Sequence, residues 1–163
     1  MILKIMSSMK IDILRLREED FNKALLELIQ IYSDGYRDLE RYHYKKRRDI
    51  RSYIKWLYKA DPFSFFVGYV DGKRAGFIAG SKRWNDSRYG DISEIHELVV
   101  RSSFKGKEVS DRLLEALLNL FKGRIVGLWV GEENHRAIRF YKRYGFVETG
   151  KVGIWIRMIR EER

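Results

Sequence analysis

Three stretches of this 163-residue chain carry residue types whose spacing could do chemistry. Lys105-Gly106-Lys107-Glu108-Val109-Ser110 is a basic, glycine-containing loop that opens a helix. Free backbone N–H groups and the helix dipole favour an anion at such a point. Taken alone, the loop reads equally as a helix start with solvated charges. Glu108 is a bulky anion within it and would repel a phosphate unless it swings outward, with Lys105 and Lys107 offsetting its charge. The second stretch runs from Asn134 to Phe146. Asn134 can cap a helix and still offer an amide, and Gly145 can end that helix in a left-handed conformation. The third, Asp91 to Val100, is a strand rich in acids. By parity Glu94, His96, Leu98 and Val100 share one face, and Glu97 points the other way unless a bulge intervenes. For Glu97 we prefer an ion pair across the sheet, whereas Glu94 admits both pairing and catalysis.

These stretches need elements to hold them. Lys10 to Leu16 alternates as a strand. Glu18-Glu19-Asp20 opens a helix through Phe21, Leu25, Leu28, Ile29 and Tyr32, stopped near Gly35. Tyr36 to Arg48 is aromatic, basic and irregular, and Asp49 to Lys59 is a second helix ended by Asp61-Pro62. Phe63 to Val70 and Arg74 to Gly80 form a hairpin around Asp71-Gly72. Trp84 to Gly90 reads as a polar loop before the acidic strand. Val109 to Phe121 is an amphipathic helix, Ile125 to Val130 a strand, and His135 to Tyr144 a helix. A final strand pair surrounds Gly150 and Gly153. The order is β-α-α-β-β-β-α-β-α-β-β, an α/β (α+β) pattern with a mixed, mostly antiparallel sheet flanked by helices.

Composition bounds the rest. The length fits one domain, residues 10–163, after an N-terminal extension at 1–9. The chain has no cysteine, which excludes disulfides, thiolate metal sites and a cysteine nucleophile. Its three histidines are scattered, so no metal is expected. No apolar run approaches the ~18 residues of a membrane span, and the reading is a cytoplasmic protein without a membrane partner. The formal charge is +10. A nucleic-acid partner would rest on that charge alone, and an ion-paired, thermophile-type surface accounts for it better, with one glutamine and 34% charged residues.

The order strand, basic Gly loop, helix, strand, Asn, helix, Tyr-Gly-Phe resembles the GCN5-related N-acetyltransferase (GNAT) superfamily. Asn134, Ala137, Phe140, Tyr141, Gly145 and Phe146 match its Asn-x-x-Ala-x-x-Phe-Tyr-x-x-x-Gly-Phe segment. Lys105, Gly106 and Ser110 fit its Arg/Gln-Gly-x-Gly-x-Gly/Ala loop, with Glu108 replacing a glycine. The resemblance covers the chain from Lys10 onward, through motifs in the second half and element order in the first. It implies acetyl-CoA as acyl donor, with the pyrophosphate on the amides of Gly106 to Ser110. It also implies pantetheine along Leu98, Val99 and Val100 and against Asn134, with Ala137 keeping the helix close. Tyr141 would then be the acid that protonates the leaving thiolate, and Glu94 the candidate base.

The acceptor would be a primary amine: a protein N-terminus, a lysine or a small molecule. Its site would be built from Tyr36, Arg37, Arg41, Tyr42, His43 and Tyr44, with Trp84 and Tyr89. A non-catalytic, acyl-CoA-binding or degenerate member is the alternative, and Glu108 is the feature that favours it. A homodimer is compatible with the family.

Overall fold

A computed structural model describes residues 9–161, so all of the expected extension except Met9 lies outside the described residues. The chain runs β1 (Ile11–Arg15), α1 (Glu18–Gly35), α2 (Arg47–Ala60), β2 (Phe65–Val70), β3 (Lys73–Asp86), β4 (Gly90–Val100), α3 (Val109–Leu120), β5 (Val126–Gly131), α4 (His135–Arg143), β6 (Val147–Val152) and β7 (Trp155–Arg160). Short 3-10 turns cover Glu40–Tyr42, Pro62–Ser64 and Ser102–Phe104. The element order is the one expected. No described helix is long and apolar enough to cross a membrane.

The strands form one seven-stranded sheet in the order β1-β2-β3-β4-β5-β7-β6. All pairings are antiparallel except β4 with β5. That parallel pairing joins Ser93, Glu94 and Ile95 to Val126, Gly127 and Leu128 and goes no further. Beyond it β4 continues to Val100 beside β3, and β5 continues to Gly131 beside β7. The middle of the sheet therefore opens into a wedge, with unpaired strand edges facing each other across it.

Helices cover the two faces. On one, α1 and α2 bury Leu28, Ile31, Ile54 and Leu57 against Phe65, Phe77 and Val99. On the other, α3 and α4 bury Leu113, Leu117 and Ile138 against Ile78, Ile95 and Leu128. Each such side chain contributes roughly 1.5–3 kcal/mol when fully buried. The first turn of α1 carries Glu18, Glu19 and Asp20, where the helix dipole favours acids. Its last residue, Gly35, lies so close to Val99 and Val100 that a Cβ would collide with both. The end of α1 is thereby fixed against the strand that borders the wedge.

Two boundaries differ from the sequence reading. Trp84 to Gly90 is not a loop: Trp84, Asn85 and Asp86 pair with Ile92, Asp91 and Gly90. The turn that remains is closed by Asp86, whose Oδ1 accepts the backbone N–H groups of Arg88 and Tyr89 at 2.8 Å each. Phe63 and Ser64 form a 3-10 turn rather than strand, because the Asp61 carboxylate accepts the Phe63 N–H at 3.2 Å and the Ser64 hydroxyl at 2.6 Å.

Candidate active site

The basic loop is anchored before it meets α3. The Ser102 N–H donates to Asp34 Oδ2 at 2.6 Å, and Lys105 Nζ donates to the Gly35 carbonyl at 2.8 Å. Both bonds tie the loop to the C-terminus of α1, where a cation is favoured. Gly106 has φ 78° and Glu108 has φ 66°, ψ 0°. The non-glycine residue thus holds the left-handed conformation that glycine adopts without penalty. Glu108 is exposed and does not cap α3 with its side chain. The first-turn N–H groups of α3 have no intrahelical acceptor, and a cleft of about 900 Å³ lies in front of them. Lys105, Gly106, Glu108 and Ser110 line it on one side, and Arg136, Arg139 and Lys142 of α4 on the other. Lys107 lies 5.8 Å over the Phe104 ring and Val109 is buried in the core, so neither side chain lines the cleft.

Leu98, Val99 and Val100 form the β4 side of this cleft. Asn134 starts α4, its Oδ1 accepting the Ala137 N–H at 3.3 Å. One and two turns on, α4 presents Ile138 and Tyr141 to the core. Tyr141 is 8% exposed, yet its hydroxyl has no hydrogen-bond partner among the described residues and borders the cleft. Burial, reinforced by the negative charge of Glu97, raises its pKa well above that of a free phenol. Tyr141 is therefore a protonated donor at any physiological pH.

A second cleft, of about 690 Å³, lies on the face covered by α1 and α2. It shares Tyr36, Leu98, Asn134, Ala137 and Tyr141 with the first, so the two clefts meet around the Tyr141 ring. Tyr36, Arg41, Tyr42, His43 and Tyr44 line it, as expected from the sequence. Arg37 pairs instead with Asp34 at 2.8 Å, Trp84 packs on Trp56 and His96, Tyr89 sits in the β3–β4 turn, and none of the three is among the lining residues.

The carboxylates differ from the parity argument. Ala79 pairs with Glu97 and Gly80 with Ile95, so His96 is an extra residue bulged out of β4. The bulge turns Glu97 onto the same face as His96. Its carboxylate accepts hydrogen bonds from the hydroxyls of Tyr36 and Tyr53, the latter at 2.7 Å, and it lines the second cleft. Burial pushes Glu97 up from 4.5 to about 7, against the lowering effect of the two phenols. Glu94 does not line the cleft. Its carboxylate is taken by Arg157, at 2.5 and 2.9 Å, and Arg157 also holds Asp86 at 2.9 Å. Glu94 thus serves the cross-sheet ion pair, and Glu97 takes the position facing the cleft. His96 bonds Ser81 Oγ at 2.8 Å, and burial lowers its pKa to about 4, so it is neutral. Tyr53 and Trp155, both in the lining, were not singled out by the sequence.

The arrangement brings together a poised carboxylate, a protonated phenol and a wedge with open strand edges. By its chemistry the first cleft suits an extended anionic ligand. Cations and helix N–H groups stand at one end, unpaired backbone lies along its length, and a proton donor stands where it meets the second cleft. The chain is similar to a protein named as an acetyltransferase and to solved structures of the same fold. An uncharacterized N-acetyltransferase of Methanocaldococcus jannaschii is 40% identical over 138 residues, covering 82% of this chain. The chain spans 61% of that relative's length. The crystal structure of PH1933 from Pyrococcus horikoshii is 39% identical with a TM-score of 0.86, over 94% of this chain and 99% of that one. The PaiA N-acetyltransferase of Thermoplasma acidophilum, crystallised with coenzyme A, shares the fold at 21% identity, with a TM-score of 0.71 over 94% of this chain and 100% of that one. The acetyltransferase (GNAT) family model matches residues 25–146, from α1 through the Tyr-Gly-Phe segment, and the chain belongs to that family.

Proposed function

We propose that the protein transfers an acetyl group from acetyl-CoA to a primary amine by direct attack. The observation that carries the reading is the meeting of the two clefts at Tyr141, with Glu97 on the other side of the junction. Acetyl-CoA supplies an activated acyl thioester. The α3 N–H groups, with Lys105 and the α4 cations, hold its phosphates, and Leu98, Val99, Val100 and Asn134 hold its arm.

An ammonium must lose a proton before it can attack. Glu97 accepts that proton, and a base near 7 is suited to an amine near ~8. Nitrogen then forms its bond to the acyl carbon, the carbon–sulfur bond breaks, and the Tyr141 hydroxyl gives its proton to the departing sulfur. No covalent enzyme intermediate is needed, and the chain has no cysteine to form one.

The non-catalytic alternative rests on Glu108. Its left-handed backbone argues against it, because the amides keep the conformation that a glycine would give them. The deciding experiment measures free thiol released from acetyl-CoA over a panel of amines, for the native chain and Tyr141→Phe. Acceptor-dependent release that Tyr141→Phe lowers supports the transferase reading. Binding of acetyl-CoA with no release on any amine supports the alternative.

A further inference from the structure

The positive charge of this chain is concentrated on one helix. Between Lys45 and Lys59 stand seven lysines and arginines and a single acid, Asp49, so these fifteen residues carry +6 of the chain's formal +10. They span nearly all of α2 and the two residues before it. All seven cations are exposed. Arg48 meets Asp49 at 3.7 Å, and the other six have no acidic partner among the described residues. Elsewhere arginines do pair: Arg17 with Glu19 and Asp20, Arg124 with Asp91, Arg143 with Asp111. The ion-paired surface expected from composition therefore stops at α2.

Arg47, Arg51, Lys55 and Lys59 follow one another at four-residue steps and form a stripe, about 6 Å per step over roughly 18 Å. The other side of the helix buries Ile50, Ile54 and Leu57. Folding does not account for the stripe. Like charges four residues apart oppose a helix. Lys46, Arg47 and Arg48 also crowd the end at which the dipole repels cations, whereas α1 carries three acids in its first turn. A helix face that serves only solvent mixes both signs. Cations clustered along one helix face are the footprint of a polyanion.

Two indoles border the stripe. Trp56 is 47% exposed and Trp84 36%, and their rings meet edge to face at 6.4 Å and 86°. Lys82, also exposed, is held beside the end of α2 by its N–H bond to the Asp61 carboxylate at 2.9 Å. That carboxylate is further occupied by Phe63 and Ser64. Exposed rings beside a cationic track are platforms on which unpaired bases stack. An acidic protein face would match the cations and leave the indoles unused. A lipid surface needs apolar side chains to insert, and those of α2 are buried in the core. A duplex keeps its bases stacked within itself. Unpaired loops and ends, with bases free to stack on aromatic rings, are the form in which RNA is mostly recognised.

We propose that α2 is a docking surface for an unpaired stretch of RNA, with phosphates on the Arg47-to-Lys59 stripe and bases against Trp56 and Trp84. Trp56 meets the His96 ring at 5.1 Å, which places this surface at the margin of the second cleft. RNA binding here is independent of acetyl transfer. The test follows the fluorescence anisotropy of a labelled, non-pairing RNA of about twelve nucleotides with the full chain, from about 50 to about 200 mM salt. Competitors are a DNA strand of the same sequence, its duplex, a polyglutamate peptide and anionic vesicles. The variants are Arg51→Gln with Lys55→Gln, Trp56→Ala, and a control pair, Lys73→Gln with Lys122→Gln, which removes the same charge from exposed positions on the β2–β3 hairpin and after α3. A thermal melt checks that each is folded.

Four stripe contacts predict that log K falls with log salt at a slope of about −3. Losing Arg51 and Lys55 should lessen that slope by about 1.4. Trp56→Ala should weaken binding about tenfold at unchanged slope, and the control pair should leave the slope as it is. An equal loss of slope in the control pair overturns the proposal, because the attraction is then to net charge alone. So does tighter binding to the DNA strand, equal or tighter binding to the duplex, the polyglutamate or the vesicles, unaltered affinity in Trp56→Ala, or no RNA binding at the lowest salt.

Discussion

The Tyr53 hydroxyl donates to a Glu97 carboxylate oxygen at 2.7 Å, and this bond joins α2 to the bulge in β4. With Tyr36 on the same carboxylate, it holds a buried acid in one orientation at the floor of a cleft. Two phenols lower the carboxyl's proton affinity, but burial outweighs them and leaves it at about 7. That balance makes Glu97 a base that is available near neutrality.

Glu97→Gln should lower kcat by on the order of 100-fold and abolish a rise of kcat/KM with pH centred at about 7. Stability should move the other way. The folded-state value lies above the usual 4.5, so the folded chain holds this proton more tightly than the unfolded chain does. The resulting stabilisation is complete below about pH 4.5 and is lost as pH rises through about 7, on the order of 3 kcal/mol in all. Urea denaturation at pH 5 and pH 8 checks it: the native chain should weaken over that interval more than Glu97→Gln does.

Tyr141→Phe keeps the ring that packs on Phe146 and removes only the proton. It should bind acetyl-CoA with little change and turn over about 100-fold more slowly. Calorimetry and a thiol-release assay separate the two effects. Equal turnover in the variant would remove Tyr141 from the chemistry.

Glu108→Gly should stabilise the fold by about 1 kcal/mol, because glycine holds the left-handed conformation without strain. That corresponds to a rise of roughly 2–4 °C in Tm. It should also tighten acetyl-CoA binding by removing an anion beside the α3 amides. A thermal melt and a titration measure both.

Arg157→Met leaves Glu94 buried without its partner, which should lower stability by about 3–5 kcal/mol. Adding Glu94→Gln should recover part of the loss, since the remaining amide carries no charge. If the double variant is no more stable than the single one, the cross-sheet pair is not what Arg157 supplies.

The sequence made the fold legible because its signals are local: acids before apolar helical spacing in α1, Asp71-Gly72 between β2 and β3, and Gly145 after α4. The places of Asn134 at the start of α4 and of Tyr141 beside both clefts were equally readable, since one short segment fixes both. The carboxylate was not. Strand alternation favours Glu94 until His96 is known to bulge, and a bulge is set by pairing with β3 rather than by β4 itself. Tyr53 was hidden for a similar reason. It belongs to the apolar side of α2, and only tertiary packing brings its hydroxyl to Glu97.

The measurement that tests the central claim most directly is isothermal titration of the native chain with acetyl-CoA, beside Glu108→Gly. Micromolar, one-to-one binding by the native chain, tightened in the variant, is the result this account predicts. Binding by the variant alone would mean that the loop has lost its ligand in this chain. Binding by neither would contradict the assignment of the first cleft.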